Sequence, residues 1–173
     1  MSKFRCFRKF KEFEVWRFTP DIIHPFPFYL EPITLTWRIR CIYEFFIGYH
    51  IYYIRVNDDW AGYCVISSGR NQRYKFSTKD DIIYGRYYIC DKFRGKHLGL
   101  TMLHRVLDDC DILYKKAYAY LHCDNIASYK TMLMLGAKEK YRFDIKGFLR
   151  NKFEKNDDGK FVLFEYMLER GTT

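Results

Sequence analysis

Apolar and polar positions change period several times along the chain, and each change marks an element. Residues Glu12 to Thr19 alternate as a strand does, after which all four prolines, Pro20, Pro25, Pro27 and Pro32, fall within thirteen residues. Proline lacks the amide that ladders and helix interiors need, so this stretch reads as loop. From Pro32 onward Leu35, Ile39, Ile42 and Phe46 recur at helical spacing, with Pro32 suited to the first turn and Gly48 to the exit. Tyr49 to Val56 and Trp60 to Ser67 are aromatic and β-branched runs joined by Asn57-Asp58-Asp59, the pattern of an antiparallel hairpin.

A basic loop with Arg70, Arg73, Lys75 and Lys79 leads into a strand over Asp81 to Cys90. After Phe93-Arg94-Gly95-Lys96 the period switches to helix, with Leu98, Met102, Val106 and Leu107 on one face. Ala117 to Cys123 predicts an inner strand. Asp124 and Asn125 then cap a helix through Leu135, which Gly136 closes. Lys138 to Phe148 and Lys160 to Leu168 predict a closing hairpin turned by Asn156-Asp157-Asp158-Gly159. The order is mixed α/β: antiparallel strands, two strand-helix units, then a hairpin.

Composition narrows the class. A chain of 173 residues without a low-complexity linker is the size of one domain, 1–173, and 49% hydrophobic residues suffice for a core without disulfides or structural metal. The six cysteines, Cys6, Cys41, Cys64, Cys90, Cys110 and Cys123, are scattered singly with no zinc-ligand spacing, so no metal is expected. They read as small hydrophobes in a reducing compartment. The first eighteen residues interleave charge with aromatics, unlike a signal peptide, and no segment reaches the roughly 18 apolar residues of a membrane span. A cytoplasmic protein is expected. A net charge of +9 favours polyanionic partners. Nucleic acid would call for cations gathered on one element with stacking aromatics, and here they are dispersed apart from Lys3, Arg5, Arg8, Lys9, Lys11 and Arg17.

Candidate chemistry lies where strands run into helices. Helix N-termini carry unsatisfied amides and positive potential, so a loop that lets a pyrophosphate approach becomes an anion site. Arg94-Gly95-Lys96-His97-Leu98-Gly99 is such a loop, with Gly95 and Gly99 keeping side chains away and Arg94 and Lys96 adding charge. A second piece, Asn125-Ile126-Ala127-Ser128, opens a helix that ends at Leu135-Gly136-Ala137. Each alone could be ordinary capping.

Together, in this order and separation, they resemble the GNAT superfamily of N-acetyltransferases. Arg94 to Gly99 matches the family's first motif (Arg or Gln, two residues, Gly, one residue, Gly or Ala) except that His97 replaces the first Gly. Asn125, Ser128 and Gly136-Ala137 fit the later motif. The resemblance spans roughly Trp60 to Leu168, while the first fifty residues show no family pattern. It implies a mixed, largely antiparallel sheet with helices on both faces and a splayed central parallel strand pair. Acetyl-CoA would lie in that gap, with the strand ending at Ile89-Cys90 and the Arg94 to Gly99 loop on one side and Asn125 and Ser128 on the other. The implied activity is attack of a primary amine on the thioester; amino sugar, polyamine, amino acid and protein lysine all stay open as acceptors. A homodimer also stays open.

A histidine at position 97 is tolerable if the backbone keeps negative φ, with its ring turned outward. The family's acid, a tyrosine seven residues beyond the motif Asn, falls on Met132, which has no proton to donate. Tyr129, one turn earlier, is the leading substitute, and Tyr84, Tyr118 and Tyr120 lie on the two strands. For the base, Asp80 and Asp81 at the start of one strand and His122 at the end of the next are the candidates. A domain that binds acyl-CoA without turning it over is the alternative reading.

Overall fold

A computed structural model describes residues 3–71, 73–109, 114–146 and 152–167, so the predicted strand ends at Phe148 and Leu168, and Cys110, lie outside the described residues. One nine-stranded sheet runs through the molecule in the order β1-β2-β3-β4-β5-β6-β9-β7-β8. Its strands are β1 (Lys3–Lys9), β2 (Glu14–Thr19), β3 (Tyr49–Val56), β4 (Asp59–Ser68), β5 (Ile82–Ile89), β6 (Lys116–His122), β7 (Lys138–Lys146), β8 (Lys152–Lys155) and β9 (Phe161–Met167). Three α-helices among the described residues, α1 (Leu35–Ile47), α2 (Leu98–Asp109) and α3 (Ile126–Met134), accompany it, with a short 3-10 turn over Asp91–Phe93. Every pairing is antiparallel except β5 with β6. No helix among the described residues is long and apolar enough to cross a membrane.

Strict alternation buries the sheet on both faces. Tyr52 and Ile54 of β3, Cys64 and Ile66 of β4, Ile82 and Tyr84 of β5, and Ala117 and Ala119 of β6 share a core with Met102, Leu103, Val106 and Leu107 of α2 and Met132 of α3. The residues between them, Ile51, Tyr53, Tyr63 and Val65, pack on the other face with Cys41 of α1 and Phe26 of the proline-rich loop. On that same face further along, Ile83, Tyr118, Phe143 and Leu163 form a smaller cluster with Tyr74.

Local chemistry explains most boundaries. Asn57 and Asp58 adopt φ of 47° and 68°, the two left-handed residues of a two-residue hairpin turn. Asn and Asp tolerate that region better than other side chains do. Thr34 caps α1 by accepting from the Trp37 amide, so the helix begins at Leu35. At the end of α3, Ala137 N–H bonds the Met132 carbonyl and Gly136 N–H that of Leu133, with Gly136 at φ 84°. This is the paired-bond ending that glycine permits.

Three features depart from the sequence pattern. The charged segment Lys3–Lys9 is a strand, paired to β2, with Phe4 against Trp16, Phe28, Tyr53 and Trp60. In α1 the periodic residues Leu35, Ile39, Ile42 and Phe46 point outward, being 73%, 59%, 48% and 73% exposed, while Cys41 and Glu44 face the sheet. The closing hairpin is interrupted: β7 pairs with β9 through Lys138 to Phe143 and with β8 through Phe143 to Lys146. The Asn156 to Gly159 turn therefore joins β8 to β9. Gly159 lies on the Phe143 backbone, where a Cβ would come within 2.5 Å of the Phe143 carbonyl carbon.

Candidate functional site

The site is built where the sheet opens. β5 and β6 are paired only at Ile82–Ala117 and Ile83–Tyr118, so from Tyr84 onward the ladder is lost, while β6 stays paired to β9 over its whole length. A bulge accompanies the opening. Tyr63 faces Tyr88 and Val65 faces Gly85, leaving Arg86 and Tyr87 opposite Cys64 alone. Arg86 sits at φ 39° and is held there by its own side chain. Its Nε donates to the Tyr63 hydroxyl at 3.0 Å, Nη2 lies 3.4 Å from Glu31, and the guanidinium covers the Trp37 ring at 4.7 Å. The extra residue shifts the phase of β5, so that Ile82 and Tyr84 before it and Tyr87 and Ile89 after it face the α2 side.

Two cavities flank this bulge. The larger, about 590 Å³, is lined by Tyr87 to Ile89 of β5, by the loop and first turn of α2 with Arg94, Gly95, His97, Leu98 and Gly99, and by α3 with Asn125 and Ser128. The first-turn amides of α2 have no acceptor within the helix. Gly95, at φ 76°, has open space where a Cβ would project. The smaller cavity, about 220 Å³, lies on the α1 face, between α1, β4, the basic loop and the splayed strands; Gly85 and Arg86 border it.

The predicted cofactor residues therefore converge, with two exceptions. Cys90 and Lys96 do not line the cavity; the Cys90 thiol donates to the Trp60 carbonyl at 3.6 Å, and burial raises its pKa. Arg94 is already engaged, its Nε donating to the Ile89 carbonyl at 3.0 Å and Nη2 meeting Asp91 at 2.9 Å. Asn125 caps α3 by accepting from the Ser128 amide at 3.2 Å. His97 does not keep negative φ: at 53° it occupies the left-handed region that a glycine would take freely. Its carbonyl accepts from both the amide and the hydroxyl of Thr101.

Of the catalytic candidates, Tyr84 and Tyr120 border the smaller cavity, whereas Asp81, His122 and Tyr129 lie elsewhere. Asp81 is buried in a turn, where its carboxylate accepts from the amide and hydroxyl of Thr78, both at 2.8 Å. His122 is exposed beside Phe161, with Nδ1 accepting from the Asp124 amide. Tyr129 donates its hydroxyl to Glu139 at 2.5 Å, and that bond raises its pKa. None of the three lines either cavity. Met132 is buried, and its sulfur accepts from the Tyr84 hydroxyl at 3.4 Å. A hydroxyl thus reaches position 132 from the strand, although burial pushes the Tyr84 pKa far up.

One residue of the smaller cavity stands out and gave no signal in the sequence. Glu44 of α1 is 4% exposed, accepts from the Ser67 hydroxyl at 2.9 Å, and has its pKa raised by burial against the opposing pull of Ser67, Arg73 and Arg40. Two residues that border the same cavity carry polar atoms buried without a hydrogen-bond partner: Nε and Nη2 of Arg73 and Nε1 of Trp37. Leaving such donors unmatched costs about 1–3 kcal/mol each.

No protein-family model matches the sequence, and no curated protein matches it. Solved structures do. YncA of Salmonella typhimurium, solved with its cofactor acetyl-CoA, superposes with a TM-score of 0.56 at 16% identity, over 80% of this chain and 75% of that one. An acetyltransferase of the GNAT family from Streptococcus pneumoniae gives 0.52 at 12% identity, over 76% and 74%. The fold is GNAT-like. A variant of the spermidine N-acetyltransferase SpeG from Vibrio cholerae gives 0.51 at 15%, over 69% of this chain and 64% of that one. The expected GNAT-like architecture, with a central mixed sheet and flanking helices, is thus present. Identities this low carry the fold and nothing about substrate.

Proposed function

We propose that the protein is an N-acyltransferase that moves an acetyl group from acetyl-CoA to the primary amine of a small molecule. The observation that carries this reading is the convergence of Ile89, the Arg94 to Gly99 loop, Asn125 and Ser128, from separate stretches of chain, on one cavity. Its volume of about 590 Å³ suits a sizeable ligand. The residues fit the group: Gly95 leaves room for a phosphate, the α2 amides and dipole favour its charge, and Arg94 and Lys130 border the same space.

Bound acetyl-CoA supplies an activated thioester, and the chain supplies the rest. The smaller cavity, across the Gly85 to Tyr87 bulge, receives the amine. Glu44 takes the ammonium proton there, a task suited to a carboxylate whose basicity burial raises. The residue that the bulge leaves out of the ladder offers its amide to the developing oxyanion. A thiol of pKa about 8.5 can depart as thiolate near neutral pH, so the absence of a donor at position 132 slows the step without blocking it.

The test is a thiol-release assay with acetyl-CoA and a panel of amino sugars, amino acids and polyamines. Amine-dependent release that Glu44→Gln removes is the expected result. Binding of acetyl-CoA with no release for any amine would favour instead a module that holds acyl-CoA without turnover, the reading that buried Met132 supports.

A further inference from the structure

The smaller cavity also restricts the acceptor. This step rests on the acyltransferase reading. We propose that the acceptor is an amino-acid-like zwitterion, whose carboxylate is held side-on by Arg73 while its amine faces Glu44.

Nε and Nη2 are the two nitrogens of one edge of the guanidinium, and in Arg73 both are buried with no hydrogen-bond partner. That edge presents two parallel N–H groups, the geometry that a carboxylate accepts with both oxygens. The guanidinium carbon lies 5.7 Å from the centroid of the Tyr74 ring, and the Arg73 backbone amide donates to the Asn71 side chain. Paired donors of this kind on a residue that borders the cavity suit an anion. Nε1 of Trp37, likewise buried without a partner on the same cavity wall, supplies one more donor.

Charge balance points the same way. Arg40, Arg73 and Arg86 line the cavity against one carboxylate, Glu44. Arg86 is matched by Glu31 outside the lining, so the surplus falls on Arg40 and Arg73, both of which act on Glu44. A polyamine would bring several ammonium groups to this surplus of guanidinium and be repelled, despite the likeness in fold to a spermidine acetyltransferase. A molecule carrying one ammonium and one carboxylate a few bonds apart meets Glu44 and Arg73 together. The volume of about 220 Å³ is below the roughly 300–1,000 Å³ of pockets for drug-sized ligands, as suits a single amino acid.

The experiment measures melting shifts and thiol release with four probes: the twenty common L-amino acids, their carboxamides, spermidine and O-phosphoethanolamine. Acetyl-CoA is present throughout. At least one amino acid should raise the melting temperature and drive release, with its carboxamide at least 100-fold poorer in kcat/KM and the other two inactive. Arg73→Ala should raise KM for that amino acid at least 100-fold and leave the affinity for acetyl-CoA unchanged. Arg73→Lys, which keeps the charge and loses the fork, should recover no more than a tenth of the loss. Carboxamides or spermidine acting as well as amino acids would overturn the proposal, as would Arg73-dependent turnover of O-phosphoethanolamine alone. So would an unchanged KM in both Arg73 variants. Failure of acetyl-CoA itself to bind would bring down the acyltransferase reading instead, and this proposal with it.

Discussion

His97→Gly should make the protein more stable. His97 holds φ at 53°, in the region where a Cβ costs about 1–2 kcal/mol per residue. Glycine adopts it freely but gives up more backbone freedom on folding, about 0.5–1 kcal/mol. The cap role survives the exchange, because Thr101 bonds the backbone carbonyl at position 97 and glycine is an acceptable N-cap residue. The ring is exposed, so little packing is lost. The net expectation is a gain of up to about 1.5 kcal/mol, a rise in melting temperature of up to about 6 °C for a chain of this size. Urea unfolding at constant slope measures it directly. Acetyl-CoA affinity should stay within threefold of wild type. A variant destabilised by about 0.5 kcal/mol or more would refute the strain argument, and a tenfold loss of affinity would make the ring a ligand contact.

Other outcomes follow from contacts around the same strands. Gly62→Ala should cost about 1–3 kcal/mol in thermal or urea unfolding, because its Cβ would sit 2.3 Å from the Tyr88 carbonyl oxygen and push on β5 where it lines the cavity; a neutral substitution would contradict that packing. Tyr129→Phe should leave kcat within about twofold, since the hydroxyl is spent on Glu139, and a drop of 10²-fold or more would restore it as the acid. Glu44→Gln should lower kcat by about 10²- to 10⁴-fold. It should also change the pH dependence of stability. Burial holds the Glu44 pKa above its unfolded value, so its contribution is complete below the ordinary carboxylate range and lost as pH rises through the folded value. The stability of Glu44→Gln relative to wild type should therefore increase with pH over that window, and a flat or falling difference in urea unfolding would count against a raised pKa.

Much of this fold was legible because local signals agreed with the global one. Asn57-Asp58, the Asn125 cap and the Gly136 ending each have a side chain or a missing Cβ that dictates the backbone, and the alternation in β3 to β6 marks a sheet covered on both faces. The meeting of the Arg94 to Gly99 loop and Asn125 on one cavity involves local signals of the same kind: a helix start, two glycines and a capping Asn. What the pattern hid depends on distant partners. β1 alternates charge with aromatics and reads as solvated until β2 supplies its ladder. The apolar stripe of α1 predicts a helix correctly, yet the residues that meet the sheet are Cys41 and the polar Glu44, which pairs with Ser67 across 23 positions of sequence. Asp81 looked available as a base because nothing local announces that Thr78 will take its carboxylate. β8 interrupts the closing hairpin because the Asn156 to Gly159 turn folds onto the Phe143 backbone, a contact that only the absent Cβ of Gly159 hints at.

The space between the α2 start and α3 is the proposed binding place of acyl-CoA. Titration calorimetry of acetyl-CoA into the wild type and into Ala127→Trp tests it most directly, because Ala127 lines that cavity on an exposed face of α3 and a bulky ring there fills the space without entering the core. One-to-one binding to the wild type and at least 100-fold weaker binding to Ala127→Trp are expected, with the two melting temperatures alike in the absence of ligand. No heat from the wild type at millimolar acetyl-CoA, or equal affinity in both proteins, would contradict it.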